Sequence, residues 1–394
     1  MGKKAVALEG NQAVALAMKQ CRPDVVAAYP ITPQTEVVQY FSQYVQNGEV
    51  HTEFVPVESE HSAMSACVGA SASGARAMTA TSSQGLALMW EILYIASALR
   101  LPIVMAVVNR ALSANINIHC DHSDAMGARD TGWIQLFSEN AQEAYDNMIQ
   151  AVRIAEHPEV LLPVMVNYDG FIVSHSVETM EVLDDEEVAK FVGEREAEVS
   201  LLDIEHPVTM GPLDFTDFYF EHKRQQLEAY RSVPRVIEEV GRQYGELSGR
   251  EYGLLEAYRM GDAEVALVIM GSASGTAKVA VDERREAGEP VGLVKIRAFR
   301  PFPVGQLVDL LGKVRAVAVL DRATSPGAEG GPLYMEVRSA LYDLERRPPI
   351  MNIIYGLGGR DISLDHFHEI IDWAKEAAEA GKAREPVRFV GVRE

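Results

Sequence analysis

Three polar side chains of types that can do chemistry stand where apolar, strand-like runs end. Thr32 lies in Tyr29-Pro30-Ile31-Thr32-Pro33-Gln34-Thr35, after the run 25–31. Glu60 lies in Val57-Glu58-Ser59-Glu60-His61-Ser62-Ala63-Met64-Ser65, after the run 54–57. Arg110 lies in Asn109-Arg110-Ala111-Leu112-Ser113, after the run 101–108, which reads as a strand buried on both faces. Open α/β sheets place ligands beyond strand carboxyl ends, so the pattern predicts that a hydroxyl, a carboxylate and a guanidinium converge on one crevice. A carboxyl at the opening of a helix is favoured by the helix dipole, and a partly desolvated one exchanges a proton near neutrality. Glu58, one step away in strand period, should face elsewhere. An arginine ending a buried apolar strand must find a partner or reach water; it forms either a structural ion pair or a fork that binds a ligand carboxylate through two parallel bonds. Thr32 before Pro33 reads as a helix N-cap, as a hydroxyl offered to a bound acid, or as both.

The elements that must position these groups follow from periodicity. From 25 to about 170, short apolar runs alternate with longer helix-period segments, the signature of an α/β fold with a doubly wound parallel sheet. The stretch 62–73 is dense in Ala, Ser and Gly, which lets a helix lie close to a sheet. A strand over 75–81 leads into Ser82-Ser83-Gln84-Gly85 and a helix over 86–99, with Ser82 or Ser83 as its N-cap. A long loop, of the kind that is usually functional, runs from Arg110 to about Asp130. A helix over 140–156 and a buried strand over 161–168 follow. From 182 to about 262 periodicity weakens and charge rises, with Asp184-Asp185-Glu186-Glu187 and an amphipathic stretch over 221–244; Pro207, Pro212 and Pro234 interrupt any single long element. This segment reads as a connector that wraps a neighbour. A second α/β domain then begins, with strands over 264–270, 291–296, 314–320 and 350–355. The division expected is 1–180, 181–262 and 263–394.

Other candidates weigh less. His119-Cys120-Asp121-His122-Ser123-Asp124 holds adjacent ligand-type residues, not a spaced coordination motif, so no metal is assigned to it. It reads as ordering the long loop, with Asp121 pairing His122 or Arg129, and with Ile118 as a pocket wall. Asp169-Gly170 and Gly356-Leu357-Gly358-Gly359 are weak phosphate-loop fragments, and Arg300-Pro301-Phe302-Pro303 reads as a turn in the second domain. A formal charge of -21 without any dense basic run argues against binding nucleic acid or an anionic membrane. No signal-peptide core and no apolar stretch of spanning length occurs, which points to the cytoplasm. Cys21, Cys67 and Cys120 are isolated, so any redox metal must belong to a partner.

Taken together, Tyr-Pro-Ile-Thr-Pro, Glu-Ser-Glu-His, Thr79-Ala80-Thr81-Ser82-Ser83-Gln84-Gly85-Leu86, Val-Asn-Arg-Ala-Leu-Ser and Arg129-Asp130-Thr131-Gly132-Trp133 resemble the alpha subunits of pyruvate:ferredoxin oxidoreductases, within the 2-oxoacid:ferredoxin oxidoreductase family. The resemblance continues through Gly271-Ser272-Ala273-Ser274-Gly275-Thr276-Ala277 and Arg297-Ala298-Phe299-Arg300-Pro301-Phe302-Pro303 and is weakest in the connector. It implies a pyrimidine-binding domain of the thiamine-enzyme type followed by a domain like the last domain of transketolases. It also implies that Glu60 bonds the pyrimidine of thiamine pyrophosphate, with Ile118 beside the cofactor, that Thr32 contacts the substrate and that Arg110 holds the substrate carboxylate. The reaction implied joins a 2-oxo acid, coenzyme A and oxidised ferredoxin to give acyl-coenzyme A, carbon dioxide and reduced ferredoxin. The chain lacks the Gly-Asp-Gly…Asn motif for diphosphate and Mg2+ and any cluster cysteines. A beta subunit must therefore supply the diphosphate site, and beta and delta subunits the 4Fe-4S clusters, in a complex that also holds a gamma subunit. A neutral Thr32 suits the methyl of pyruvate; 2-oxoisovalerate, 2-oxoglutarate and oxalate are the alternatives. Readings of other classes are a non-catalytic assembly subunit and a ferredoxin-independent, transketolase-like carboligase.

Overall fold

In the computed structural model, which describes residues 4–393, a seven-stranded sheet carries the strand ends singled out above. Its order is Ala298–Arg300, Ile134–Phe137, Val164–Asp169, Val104–Asn109, Ala77–Thr81, Val25–Ala28 and Glu53–Pro56, and every pairing is parallel except that of the first strand. Ala77–Thr81, Val104–Asn109 and Val164–Asp169 are buried throughout, which is why their sequences are near-continuously apolar and do not alternate. Helices cover both faces. On one, Ala63, Met64 and Cys67 of the small-residue helix Glu60–Ala72 pack against Ala27, Ala77 and Met105. On the other, Gly10–Gln20 and Ala141–Ala155 cover Val26, Val104 and Val108.

A second sheet has six strands, in the order Val387–Phe389, Ile350–Ile354, Ala316–Asp321, Val265–Ile269, Val291–Ile296 and Leu255–Tyr258, the last antiparallel. Lys4–Glu9 pairs with Val177–Val182 in a small separate ribbon. The segment read as a turn of the second domain behaves otherwise: Ala298–Arg300 leaves the second sheet and completes the edge of the first. Arg300 fastens the crossing, donating through Nη2 to Glu336 at 2.7 Å and through Nε to the Arg129 carbonyl at 3.2 Å.

Residues 193–218 form neither helix nor strand, and two helices follow, Tyr219–Ala229 and Val233–Ser248. Pro234 starts the second helix and does not interrupt it, because in a first turn the missing N–H has no intrahelical acceptor to lose. That helix buries Val236, Ile237, Val240 and Tyr244 in the core of its own first sheet. Asp146 fastens it there, accepting from the Tyr244 and Tyr252 hydroxyls, both at 2.6 Å, and from Arg250 at 2.7 Å. No helix among the described residues is long and apolar enough to cross a membrane.

Candidate active site

Glu60 occupies the first turn of its helix, behind Ser59, whose hydroxyl accepts from the Ser62 N–H at 3.2 Å. The sheet beneath leaves it only 6% exposed, yet among the described residues it has no hydrogen-bond or ion-pair partner. Glu58 is exposed and accepts from the Ser62 hydroxyl. A buried carboxyl without a partner is costly to the fold, so such a group points to a ligand that completes it. Thr81 Oγ1, which shares the Gly85 corner with this carboxyl, and Ser82 Oγ, the next residue in the chain, are also buried without partners. Ser82 takes the N-cap position of the helix Ser83–Leu88 with extended backbone, but its hydroxyl makes no capping bond. The helix expected over 86–99 breaks at Met89, continuing as Trp90–Ala98.

Gly85 makes this corner possible. A Cβ on it would stand 2.4 Å from Thr81 Oγ1 and 2.7 Å from Glu60 Oε1, both below contact distance. Gly85→Ala is therefore expected to push the Glu60 carboxyl off its position, lowering kcat at least about tenfold while overpacking costs roughly 1–3 kcal/mol of stability. Steady-state turnover and thermal melting of the same preparation check this; an alanine variant with unchanged kcat would show that the position of Glu60 does not matter.

Thr32 is held by its neighbours. Buried Gln34 donates to the Ala80 carbonyl at 2.9 Å and accepts from the Ile31 N–H at 3.1 Å, while Asn11 donates to the Pro33 carbonyl at 2.8 Å. The helix begins only at Thr35, with Gln34 at its cap position, so Thr32 is no N-cap: its turn is tied to the sheet and not to the helix. The Thr32 carbonyl accepts from Arg110 Nη1 at 2.8 Å, and Arg110 Nε donates to the Asn117 carbonyl at 3.1 Å. Arg110 Nη2 has no partner among the described residues. Burial pushes this guanidinium below the ordinary arginine range, with Asp124 acting in the opposite direction. Among the described residues no carboxylate pairs with its side chain, so there the purely structural ion pair is not what forms.

Asp124 joins the separate strand ends. Its carboxylate accepts from the N–H groups of Ser83 and Arg110, both at 3.0 Å, from that of Ala125 at 2.7 Å and from Asn109 Nδ2 at 2.9 Å. Burial pushes its pKa up to about 6 against the pull of these four bonds. Glu60 and Arg110 are thus connected through Gly85, Ser83 and Asp124, and Arg110 touches Thr32 directly. Ile118, 40% exposed, lies on the same loop. No signal in the sequence singles out Gly85, Asp124, Gln34 or Asn11 as parts of the site; Asp124 ends the run read as ordering the long loop.

That run works differently from expectation. Asp121 pairs with neither His122 nor Arg129; it accepts from the Ser123 N–H at 2.9 Å and hydroxyl at 2.5 Å. His122 turns into the seam between the two sheets, where its Nε2 lies 2.8 Å from Asp169. Asp169, at the end of a buried strand, also accepts from Arg322 at 2.7 Å and the Ser272 hydroxyl at 2.5 Å. Burial raises its pKa, but His122 and Arg322 together hold it well below the ordinary carboxylate range. Cys120, His122 and Asp169 offer ligand atoms within 4.8 Å of one another, but Arg322 already neutralises that carboxylate. Glu139, Glu143 and Glu256 are likewise engaged, in ion pairs with Lys295 and Lys278. Gly356-Leu357-Gly358-Gly359 is no phosphate loop but a clasp on the long loop: Gly359 N–H donates to the Cys120 carbonyl at 2.6 Å and Asn117 donates to the Gly358 carbonyl at 3.0 Å. A Cβ on Gly358, whose φ is 61°, would stand 2.3 Å from Asn117 Nδ2.

A doubly wound sheet that ends in a partnerless carboxyl, clasped by a second α/β unit, has the architecture of a thiamine diphosphate enzyme. Residues 16–242 match the family described as pyruvate flavodoxin/ferredoxin oxidoreductase, thiamine diphosphate-binding, and residues 263–367 match pyruvate:ferredoxin oxidoreductase core domain II. The chain belongs to the pyruvate:ferredoxin oxidoreductase family. It is 59% identical to pyruvate synthase subunit PorA of Thermotoga maritima, over 99% of this chain and 98% of that one. It is 43% identical to ketoisovalerate oxidoreductase subunit VorA of Pyrococcus abyssi, over 97% and 96%. A solved 2-oxoglutarate:ferredoxin oxidoreductase from Magnetococcus marinus shares the fold, with a TM-score of 0.74 at 21% identity, over 95% of this chain and 66% of that one. The residues present fit one half of the cofactor. The Glu60 carboxyl and the orphaned hydroxyls of Thr81 and Ser82 can meet the polar edge of a pyrimidine, above a Gly85 surface that a Cβ would fill.

Proposed function

We infer that this chain is the alpha subunit of a pyruvate synthase, joining pyruvate, coenzyme A and oxidised ferredoxin to give acetyl-coenzyme A, carbon dioxide and reduced ferredoxin. The observation that carries the reading is Glu60, buried and unpartnered at a strand end in a chain 59% identical along its length to a pyruvate synthase subunit. When bound, thiamine diphosphate supplies the electron sink for cleaving the bond between a carbonyl carbon and its carboxylate. Glu60 would hold and move the proton at the pyrimidine ring nitrogen, Arg110 would meet the substrate carboxylate with its unused Nη2, and Thr32 would offer its hydroxyl beside it. Ile118 would close the cofactor side of the crevice.

The remaining chemistry falls to the beta, gamma and delta subunits. Cys21, Cys67 and Cys120 are buried and separate, and burial pushes the Cys21 and Cys67 thiols up to about 12, the opposite of what cluster ligation needs. Such thiols support 4Fe-4S clusters held by partner subunits, and the lack of a Gly-Asp-Gly…Asn motif in the sequence supports a beta subunit that would hold the Mg2+ and diphosphate. Kinetics of the reconstituted complex on a panel of 2-oxo acids test the substrate. Pyruvate should give the highest kcat/KM, at least about tenfold above 2-oxoisovalerate and 2-oxoglutarate, since a methylene or more in an apolar pocket discriminates by that order. A higher value for 2-oxoisovalerate would transfer the chain to the branched-acid enzymes represented by the Pyrococcus relative.

A further inference from the structure

The connector exposes a dense apolar and acidic segment. In Leu213-Asp214-Phe215-Thr216-Asp217-Phe218-Tyr219-Phe220, five large apolar side chains are exposed by 57% or more, with Leu213 at 81% and Phe220 at 78%. Exposed apolar side chains are ordinary singly, but a contiguous set marks a surface that another molecule covers. Asp217 and, just beyond, Glu221 are exposed and have no cation partner among the described residues.

A counterpart stands on the second α/β unit. Between the helix Pro332–Leu341, the strand Ile350–Ile354 and the end of Leu364–Ala380 lies a cavity of about 440 Å3, lined in part by Tyr342, Pro348, Pro349 and Pro386. Arg338, Arg347 and Lys382 rim it, and no acidic side chain lines it. None of the three makes an ion pair among the described residues, in a chain whose formal charge is -21. The Arg338 guanidinium lies 5.4 Å from the centre of the Tyr334 ring, and that of Arg347 4.6 Å from that of Tyr342, so two of the cations already rest on aromatic faces. Two helices end here, and cations at helix C-termini are expected. That accounts for the positive charge but not for the apolar lining beside it.

We propose that the 213–221 segment of one copy of this chain docks in the Arg338–Arg347–Lys382 groove of a second copy. The phenylalanines would seat against tyrosine and prolines while Asp217 and Glu221 face the arginines. Every copy carries both surfaces, so the contact joins unlike patches of two identical chains. Complementary charge then fixes the register and suppresses like-charged contacts elsewhere on an acidic surface. This inference does not depend on the reaction catalysed.

A photo-crosslinking residue placed at Phe218, in assembled enzyme mixed from 14N- and 15N-labelled copies, tests it. The expected product is a mixed-isotope crosslink between Phe218 and peptides spanning 338–350 or 382–386 of another copy. Crosslinks to a different subunit, to the same copy, or to neither peptide would overturn the proposal. Charge reversal supplies a second measurement: Arg338→Glu with Arg347→Glu should lower the crosslink yield at least about tenfold, and adding Asp217→Arg with Glu221→Arg should restore it. Loss without restoration, or no loss, counts against the pairing.

Discussion

Glu60→Gln should lower the kcat of the assembled enzyme by about 10²- to 10⁴-fold, the range that a positioned proton-transfer group contributes. The amide matches the carboxyl in shape and still donates or accepts a hydrogen bond, but it cannot exchange a proton with a ring nitrogen. Stability should not follow activity. Glu60 has no partner among the described residues that its replacement would orphan, so the melting temperature of the variant should equal or exceed that of the parent. The opposite holds for the satisfied buried carboxylates: Asp124 accepts four hydrogen bonds, and Asp169 is held by His122 and Arg322, so loss of either should destabilise the fold. Pyruvate- and coenzyme A-dependent ferredoxin reduction, set beside thermal melting, separates the two effects. Turnover within tenfold of the parent would remove Glu60 from the chemistry.

Arg110→Ala should reduce kcat/KM for pyruvate by about 30- to 5,000-fold, the equivalent of losing roughly 2–5 kcal/mol of a charge-assisted contact. Arg110→Lys should not recover most of it. A lysine carries its three donors on one tetrahedral nitrogen, so it cannot reproduce the planar spread by which Nε meets the Asn117 carbonyl and Nη1 the Thr32 carbonyl while Nη2 is left for the substrate. Since the substitution also frees those two carbonyls, affinity for thiamine diphosphate serves as the control. A fall in kcat/KM with cofactor binding within about threefold assigns the loss to the substrate carboxylate, whereas an unchanged kcat/KM would restore the assembly-subunit reading.

Several features of this centre were legible before any tertiary contact was known, and the errors share a cause. The strands ending near Thr32, Glu60 and Arg110 are short apolar runs followed by helix-period segments, a local pattern that burial on both sheet faces makes continuous in Val104–Asn109 and that is weaker in the half-exposed edge strand Glu53–Pro56. Thr-Pro is a good helix opening in isolation, but of the alternatives open for Thr32 the cap does not form: Gln34 ties the turn to the sheet at Ala80, 46 positions on, and Asn11 of the helix Gly10–Gln20 holds the Pro33 carbonyl from 22 positions back. Proximity in the chain suggests His122 or Arg129 as the partner of Asp121, whereas His122 reaches Asp169, 47 positions on. Pro234 was read as a breaker because its place relative to the helix start was not visible from composition.

The chain alone determines that an α/β sheet presents a hydroxyl, a carboxyl and a guanidinium after the ends of separate strands, since side-chain period and backbone propensity act over a few residues, while the order of those strands in the sheet is a tertiary outcome. Only the tertiary structure decides that Glu60 is left without a partner, that Asp124 joins the Ser83 and Arg110 turns, that Gly356–Gly359 grips the loop and that Ala298–Arg300 crosses to the first sheet. Those outcomes depend on which polar groups lose water together. Desolvation is a property of residues brought close in space, and the nearest partner in the chain is often not the one that burial selects.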